Sequence, residues 1–187
     1  MAEIFAILRQ DHENMSRLLD ALDRQIDTFA AGNQPDLEIV SAIADYVLEY
    51  PDRFHHPVED MVLDELRQRD ANAARPIDGL ESEHKRIGKL ARDFHTAVKT
   101  WLSDEPARRT DFLETARAFV AAMREHIVRE DQEFFPAAEA ALTRDDLDRM
   151  NDRLPKLDDP LFGAANRESY ERLRRNILDW SDSDAAG

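Results

Sequence analysis

Two short segments hold the residues with the most chemistry in them. HHPVED, residues 55–60, and HIVRED, residues 126–131, share the form His-x-x-x-Glu-Asp. Four residues along an α-helix turn a side chain by only about 40° and advance it by about 6 Å. His55 with Glu59, and His126 with Glu130, can therefore each aim an imidazole and a carboxylate at one point from one helix face. Each segment also has a lone histidine upstream: His12 lies 43 residues before His55, and His84 lies 42 before His126. The chain reads as two copies of one helical hairpin. Imidazole plus carboxylate suits iron, zinc or manganese, and with no cysteine present any metal must be held by nitrogen and oxygen.

The elements that must position these residues are helices. Leu8, Met15, Leu19, Leu22, Ile26 and Phe29 follow alternating steps of three and four, with His12 filling the gap in that stripe. GNQP, 32–35, breaks the pattern. A second helical segment runs from about Asp36 to Arg69 with His55 and Glu59 in its stripe, and Pro51 and Pro57 predict a kink in it. After DANAARP, a third stripe reads Ile77, Leu80, His84, Ile87, Ala91, Phe94, Val98, Trp101. SDEP, 103–106, interrupts again. The fourth reads Phe112, Ala116, Phe119, Met123, His126, Glu130, Phe134, ending near Pro136. The expected fold is all-α, an up-down-up-down four-helix bundle over residues 1–142, with residues 143–187 as a short C-terminal helical extension.

In that extension RLPKLDDPLFG reads as a loop whose apolar plugs cover one bundle end. A last helix is expected from Asn166 as N-cap, with Tyr170, Leu173, Ile177 and Trp180 on one apolar face packing on the bundle or on a second subunit, so a homodimer through this helix stays open. The final SDSDAAG reads as a disordered polar terminus.

Residues equidistant from a tight turn between antiparallel helices lie at one height. The midpoints of His12 and His55, of His55 and His84, and of His84 and His126 all fall at breaks in the helical pattern, so the four histidines share one layer of a bundle. A single histidine in an apolar stripe is more often a satisfied core residue than a ligand. Four at one level beside two glutamates are different, because an uncompensated buried carboxylate costs several kcal/mol. No lysine or arginine occupies these stripes. Two metal ions would supply the missing charge.

Other candidates surround the six. His56 is one residue off the stripe; it can pair with Asp60 as a supporting group, or serve as a ligand in addition to or in place of His55. Asp131 can orient a ligand or coordinate in place of Glu130. Tyr50 can be a core aromatic, a hydrogen-bond donor or a phenolate ligand. His95 lies three turns from His84, too far for the same metal. Glu13, Asp20 and Asp23 read as solvated helix faces.

Composition narrows the partners. The chain has 40 acidic and 25 basic residues and a formal charge of −15, which disfavours nucleic acid and anionic membrane surfaces. MAEIFAILRQDHENM becomes charged too soon for a secretory signal, and no apolar run approaches the roughly 20 residues of a membrane helix, so the expected location is cytoplasmic.

Through DHENM, FHHPVED, SEHKRI and HIVREDQEFFP, over residues of about 4 to 141, the chain resembles the hemerythrin-like, or HHE cation-binding, family of four-helix di-iron proteins. The resemblance implies a centre of the Fe-O-Fe type with two iron ions held by His12, His55, His84 and His126 and bridged by Glu59 and Glu130, other divalent metals being possible occupants. Oxygen-carrying members have a fifth histidine four residues after the one matching His84, where this chain has Gly88, and use an acid five residues after the last histidine, where it offers Asp131 after Glu130. That moves it toward relatives with four histidines and two glutamates associated with nitric oxide, oxidative stress or iron sensing. Ferritin-like di-iron bundles need two Glu-x-x-His pairs, and only Glu81 with His84 fits.

The function expected is therefore a non-haem di-iron protein that binds or reacts with O2, peroxide or NO in sensing or stress protection. The alternatives are an oxidoreductase turning over peroxide or NO, and an iron-sensing or storage module. Gly88 is expected either to leave a coordination position open beside His84 or to let a bulky neighbour approach.

Overall fold

The computed structural model of the chain describes residues 3–102, 109–154, 159–163 and 170–184, and all regular structure among them is helical. α1 spans Glu3–Ala30, α2 Leu37–Tyr50, α3 His56–Arg69, α4 Ala71–Ala74, α5 Leu80–Leu102, α6 Arg109–Arg129, α7 Phe135–Ala141, α8 Arg144–Asn151 and α9 Glu171–Asp184. α1 packs against α6, α6 against α5, α5 against α2 and α2 against α1, closing a ring.

Local chemistry sets the reversals. Gly32, at φ +91°, ends α1 in the left-handed region that glycine enters without steric cost. Asp36 caps α2 by accepting from the N–H groups of Glu38 and Ile39 at 3.1 and 3.2 Å. Asp70 caps α4 in the same way, and Gly79, at φ +101°, turns the chain into α5. The SDEP break lies outside the described residues.

The kink expected at Pro51 and Pro57 is a π-helical turn over Pro51–His55, joining α2 to α3 without a break. A second π-helical turn, Glu130–Phe134, joins α6 to α7. Pro57 and Pro136 each stand two residues past one of these turns. A proline cannot donate to the carbonyl four residues back and crowds it, and the helix widens to absorb this. The N–H of His56 accordingly reaches Pro51 O, and that of Phe135 reaches Glu130 O. The extra residue shifts the helical phase, so that adjacent His55 and His56 are both buried.

Two apolar cores result. One gathers Leu18, Leu22, Ile43, Tyr46, Phe94 and Phe119; the other gathers Phe5, Leu8, Val62, Leu66, Leu80 and Phe135. The buried polar residues His12, His55, His56, Glu59, His84, His126 and Glu130 fall between them along the helices.

The extension is held to these helices by mixed contacts. Thr143 and Asp146 form a capping box at α8, and Asp146 also takes the guanidinium groups of Arg69 and Arg149 at 2.5 and 2.6 Å. Of the described part of the RLPKLDDPLFG segment, Leu154 packs against the second core, Tyr46 donates to Asp159 at 2.9 Å, and Leu161 is buried in the first core. α9 packs on α2 and α1, burying Tyr170, Leu173 and Ile177, while Arg172 pairs with Asp36 and Glu38. Asn166 and the Trp180 side chain lie outside the described residues. Of the SDSDAAG terminus, Ser181–Asp184 continue α9, contrary to the expectation of disorder there, and residues 185–187 lie outside the described residues. No helix among the described residues is long and apolar enough to cross a membrane.

Candidate metal centre

α1 brings His12, the first π turn and α3 bring His55, His56 and Glu59, α5 brings His84, and α6 with the second π turn brings His126 and Glu130. All seven are buried, and both glutamates are fully inaccessible. The His12 and His55 rings lie 5.0 Å apart, and those of His84 and His126 lie 5.1 Å apart.

Each carboxylate faces both histidine groups. Glu59 Oε1 lies 3.1 Å from His55 Nε2 and 3.6 Å from His12 Nε2, while its Oε2 lies 3.4 Å from His84 Nε2. Glu130 Oε2 lies 3.2 Å from His12 Nε2 and 3.3 Å from His126 Nε2, while its Oε1 lies 3.5 Å from His84 Nε2. None of these four oxygens has a hydrogen-bond partner of good geometry, nor do His84 Nε2 and His126 Nε2. Bonds of about 2.1 Å place the ligand atoms of one ion roughly 3 to 4 Å apart, which is the range seen here. Two groups have ligand atoms all within 4.8 Å of one another: His12, His55, Glu59 and Glu130, and His56, Glu59, His84 and His126. The residues present fit a metal site.

Four aspartates stand behind four of the histidines. Nδ1 of His12 lies 2.9 Å from Asp131, of His55 3.1 Å from Asp11, of His56 3.0 Å from Asp52 and of His84 3.3 Å from Asp60. Protons held on Nδ1 of His12, His55 and His56 turn their Nε2 lone pairs inward, the arrangement that fixes a metal-ligating imidazole, while His84 and Asp60 lie at ion-pair distance without hydrogen-bond geometry. His56 thus pairs with Asp52 and not with Asp60, because Asp60 is taken up by His84. Asp131 supports His12, while the buried Glu130 faces the centre. Tyr50 donates to Asp11 at 3.1 Å. His95 pairs with Asp45, and Asp20 and Asp23 pair with Arg124, all away from the centre. Sequence reading missed Asp11 and Asp52 as supports, although one adjoins a site residue and the other stands four before one, and it gave Asp60 to His56 where the structure gives it to His84.

Charge within the layer is unevenly held. Burial alone would lower His12, but its hydrogen bond to Asp131 and the negative carboxylates of Glu130 and Glu59 beside it raise it to about 11. A similar balance carries His55 to about 9 through Glu59 and Asp11, and His84 to about 10 through Asp60 and Glu130. Burial lowers His56 and pushes His126 down. Burial works against ionising both glutamates; His55 and His12 hold Glu59 well below the usual carboxylate range, whereas Glu130, next to Glu59, rises to about 7. Without a metal, the carboxylates depend on protons borne by His12, His55 and His84, and a cation would displace those protons. Asp131→Asn is expected to weaken metal binding roughly 10- to 100-fold with helicity unchanged, measured by competition against a chelator of known affinity.

A cavity of about 10 Å3, room for roughly one water-sized molecule, reaches the centre between His12, His55 and His126, walled by Met15, Tyr50, Met123 and Ile127.

No curated protein and no solved structure matches the chain. The model of the hemerythrin HHE cation-binding domain matches residues 3–138, the stretch that carries all seven buried site residues. With that match and a buried layer built to hold cations, the chain belongs to the hemerythrin HHE cation-binding family.

Proposed function

We propose that this protein holds two iron ions between its two histidine groups and uses them to bind or react with O2, NO or peroxide. In this reading α1, α2 with α3, α5, and α6 with α7 are the four rods of an up-down-up-down bundle. His12 and His55 hold one ion, His84 and His126 the other, and Glu59 and Glu130 bridge them. One observation carries it: four buried carboxylate oxygens lack hydrogen-bond partners, and each glutamate stands between the two histidine groups, Glu59 with one oxygen to either side and Glu130 with Oε2 facing both His12 and His126 and Oε1 facing His84. Orphaned buried carboxylates cost several kcal/mol unless a cation compensates them.

A bound pair supplies a Lewis-acidic, redox-active place for a small ligand. The protein's own part is to exclude larger molecules, which the narrow cavity between Met15, Tyr50, Met123 and Ile127 supports, and to fix the imidazoles through the aspartates behind them. Turnover is the second reading, favoured by a proton-holding chain on the cavity wall: Asp11 takes the Tyr50 hydroxyl through Oδ1 and His55 Nδ1 through Oδ2. Reversible binding needs no such chain.

Protein loaded anaerobically with Fe(II) and exposed in turn to O2, hydrogen peroxide and NO is expected to change its visible spectrum with at least one of them, and to consume more than one equivalent if it turns over. Iron-loaded protein whose spectrum is indifferent to all three contradicts the small-ligand reading.

A further inference from the structure

Position 88 lies one turn after His84 on the same face of α5, and its glycine suggested an open coordination position there. The structure fills that space differently. A Cβ on Gly88 would sit 2.9 Å from Asp52 Oδ2 and 3.4 Å from Asp52 Oδ1, so the Asp52 carboxylate would have to shift to admit it. Gly88 is helical without a positive φ, so the glycine answers to space and not to backbone conformation. Asp52 comes from the first π turn, and its Oδ1 lies 3.0 Å from His56 Nδ1. His56, 4% exposed, lies face to face with His84, centroids 4.1 Å apart and planes 8° apart, so one of the two rings would have to turn for both to bind one ion. Its Nε2 is buried and has no partner, and a ligand atom of His56 lies within 4.8 Å of ligand atoms from Glu59, His84 and His126.

We propose that His56 is a fifth histidine ligand of the centre, aimed by Asp52, and that position 88 is glycine so that Asp52 fits. The proposal deepens the dinuclear reading and rests on it. It makes the two metal positions unequal. The one beside His84 and His126 has three imidazoles, and the one beside His12 and His55 has two. The open position therefore lies on the His12 and His55 side, and the small cavity that reaches the centre is lined by both of those histidines and by His126. Asp52 and Gly88 are positioning residues: neither touches the metal, and each acts through His56.

The test titrates Fe(II) anaerobically into the whole chain, counting ions bound and recording Mössbauer spectra. The parent is expected to take two ions in unequal environments. His56→Ala should bind the second ion at least about 100-fold more weakly, and added imidazole, which fits the space the ring leaves, should restore it. Gly88→Ala and Asp52→Asn should each weaken that ion by about tenfold. His95→Ala, which removes a histidine far from the centre, should bind as the parent does, and melting of each metal-free variant checks folding. Retention of both ions at parental affinity by His56→Ala, or a loss that imidazole does not relieve, overturns the proposal. A parent taking fewer than two ions overturns the dinuclear reading, and the proposal falls with it.

Discussion

Glu130→Ala is expected to leave the metal-free protein as stable as the parent, or more stable, while removing most of the stability that metal confers. In the metal-free state Glu130 is a buried carboxyl raised to about 7 by burial and by Glu59 beside it, so it contributes strain rather than cohesion near neutral pH. With metal it becomes a bridge. Ligand at 100 to 1,000 times its dissociation constant stabilises the folded state by roughly 2.7 to 4.1 kcal/mol, about 5 to 16 °C in melting temperature for a chain of this size. The parent should show a gain of that order on loading with iron and the variant only a small part of it. Scanning calorimetry of both proteins with and without metal reads this directly; equal gains would mean that Glu130 is not a ligand.

Stability should also depend on pH differently in the two states. His12, His55 and His84 have folded pKa values of about 11, 9 and 10, all above the 6.5 of a free imidazole. A group raised in the folded state contributes stability that is complete below its unfolded pKa and is lost as pH rises through the folded one. Between pH 7 and 9 the metal-free fold therefore binds more protons than the unfolded chain and weakens as pH rises. Glu130 has already lost its share by about pH 7, and the lowered His126 and His56 exert their effect below pH 6.5, outside this window. One proton's difference is worth about 1.4 kcal/mol per pH unit, and the decline should be at least that steep. Metal competes with the same protons, so the stability gained on loading should grow over the same range. Denaturant unfolding of both forms at pH 7, 8 and 9 checks it; parallel curves would contradict the proton-for-metal exchange.

The apolar stripes and the breaks between them were legible in the sequence because the helices are long and strongly periodic. The shared layer of His12, His55, His84 and His126 followed from their symmetric distances to the turns. Glu59 and Glu130 followed from the four-residue spacing. The π turns were not legible: periodicity presumes an unbroken α-helix, while one extra residue in a turn shifts everything after it. For that reason His56, which reads as off the stripe, is inside. Asp131 was legible as a residue that could orient a ligand and Asp60 as a histidine's partner, but not which histidine each serves, since the contacts of Asp131 with His12 and of Asp11 with His55 cross between helices distant in sequence. Gly88 declared a missing side chain but not its occupant, because Asp52 arrives from another helix.

The central claim is that the layer holds two metal ions bridged by Glu59 and Glu130. Diffraction from iron-loaded crystals, with anomalous differences collected at the iron edge, tests it most directly. The account predicts two anomalous peaks per chain, one between His12 and His55 and one between His84 and His126, each within bonding distance of an oxygen from both glutamates. A single peak, or peaks that leave either glutamate uncoordinated, would contradict it.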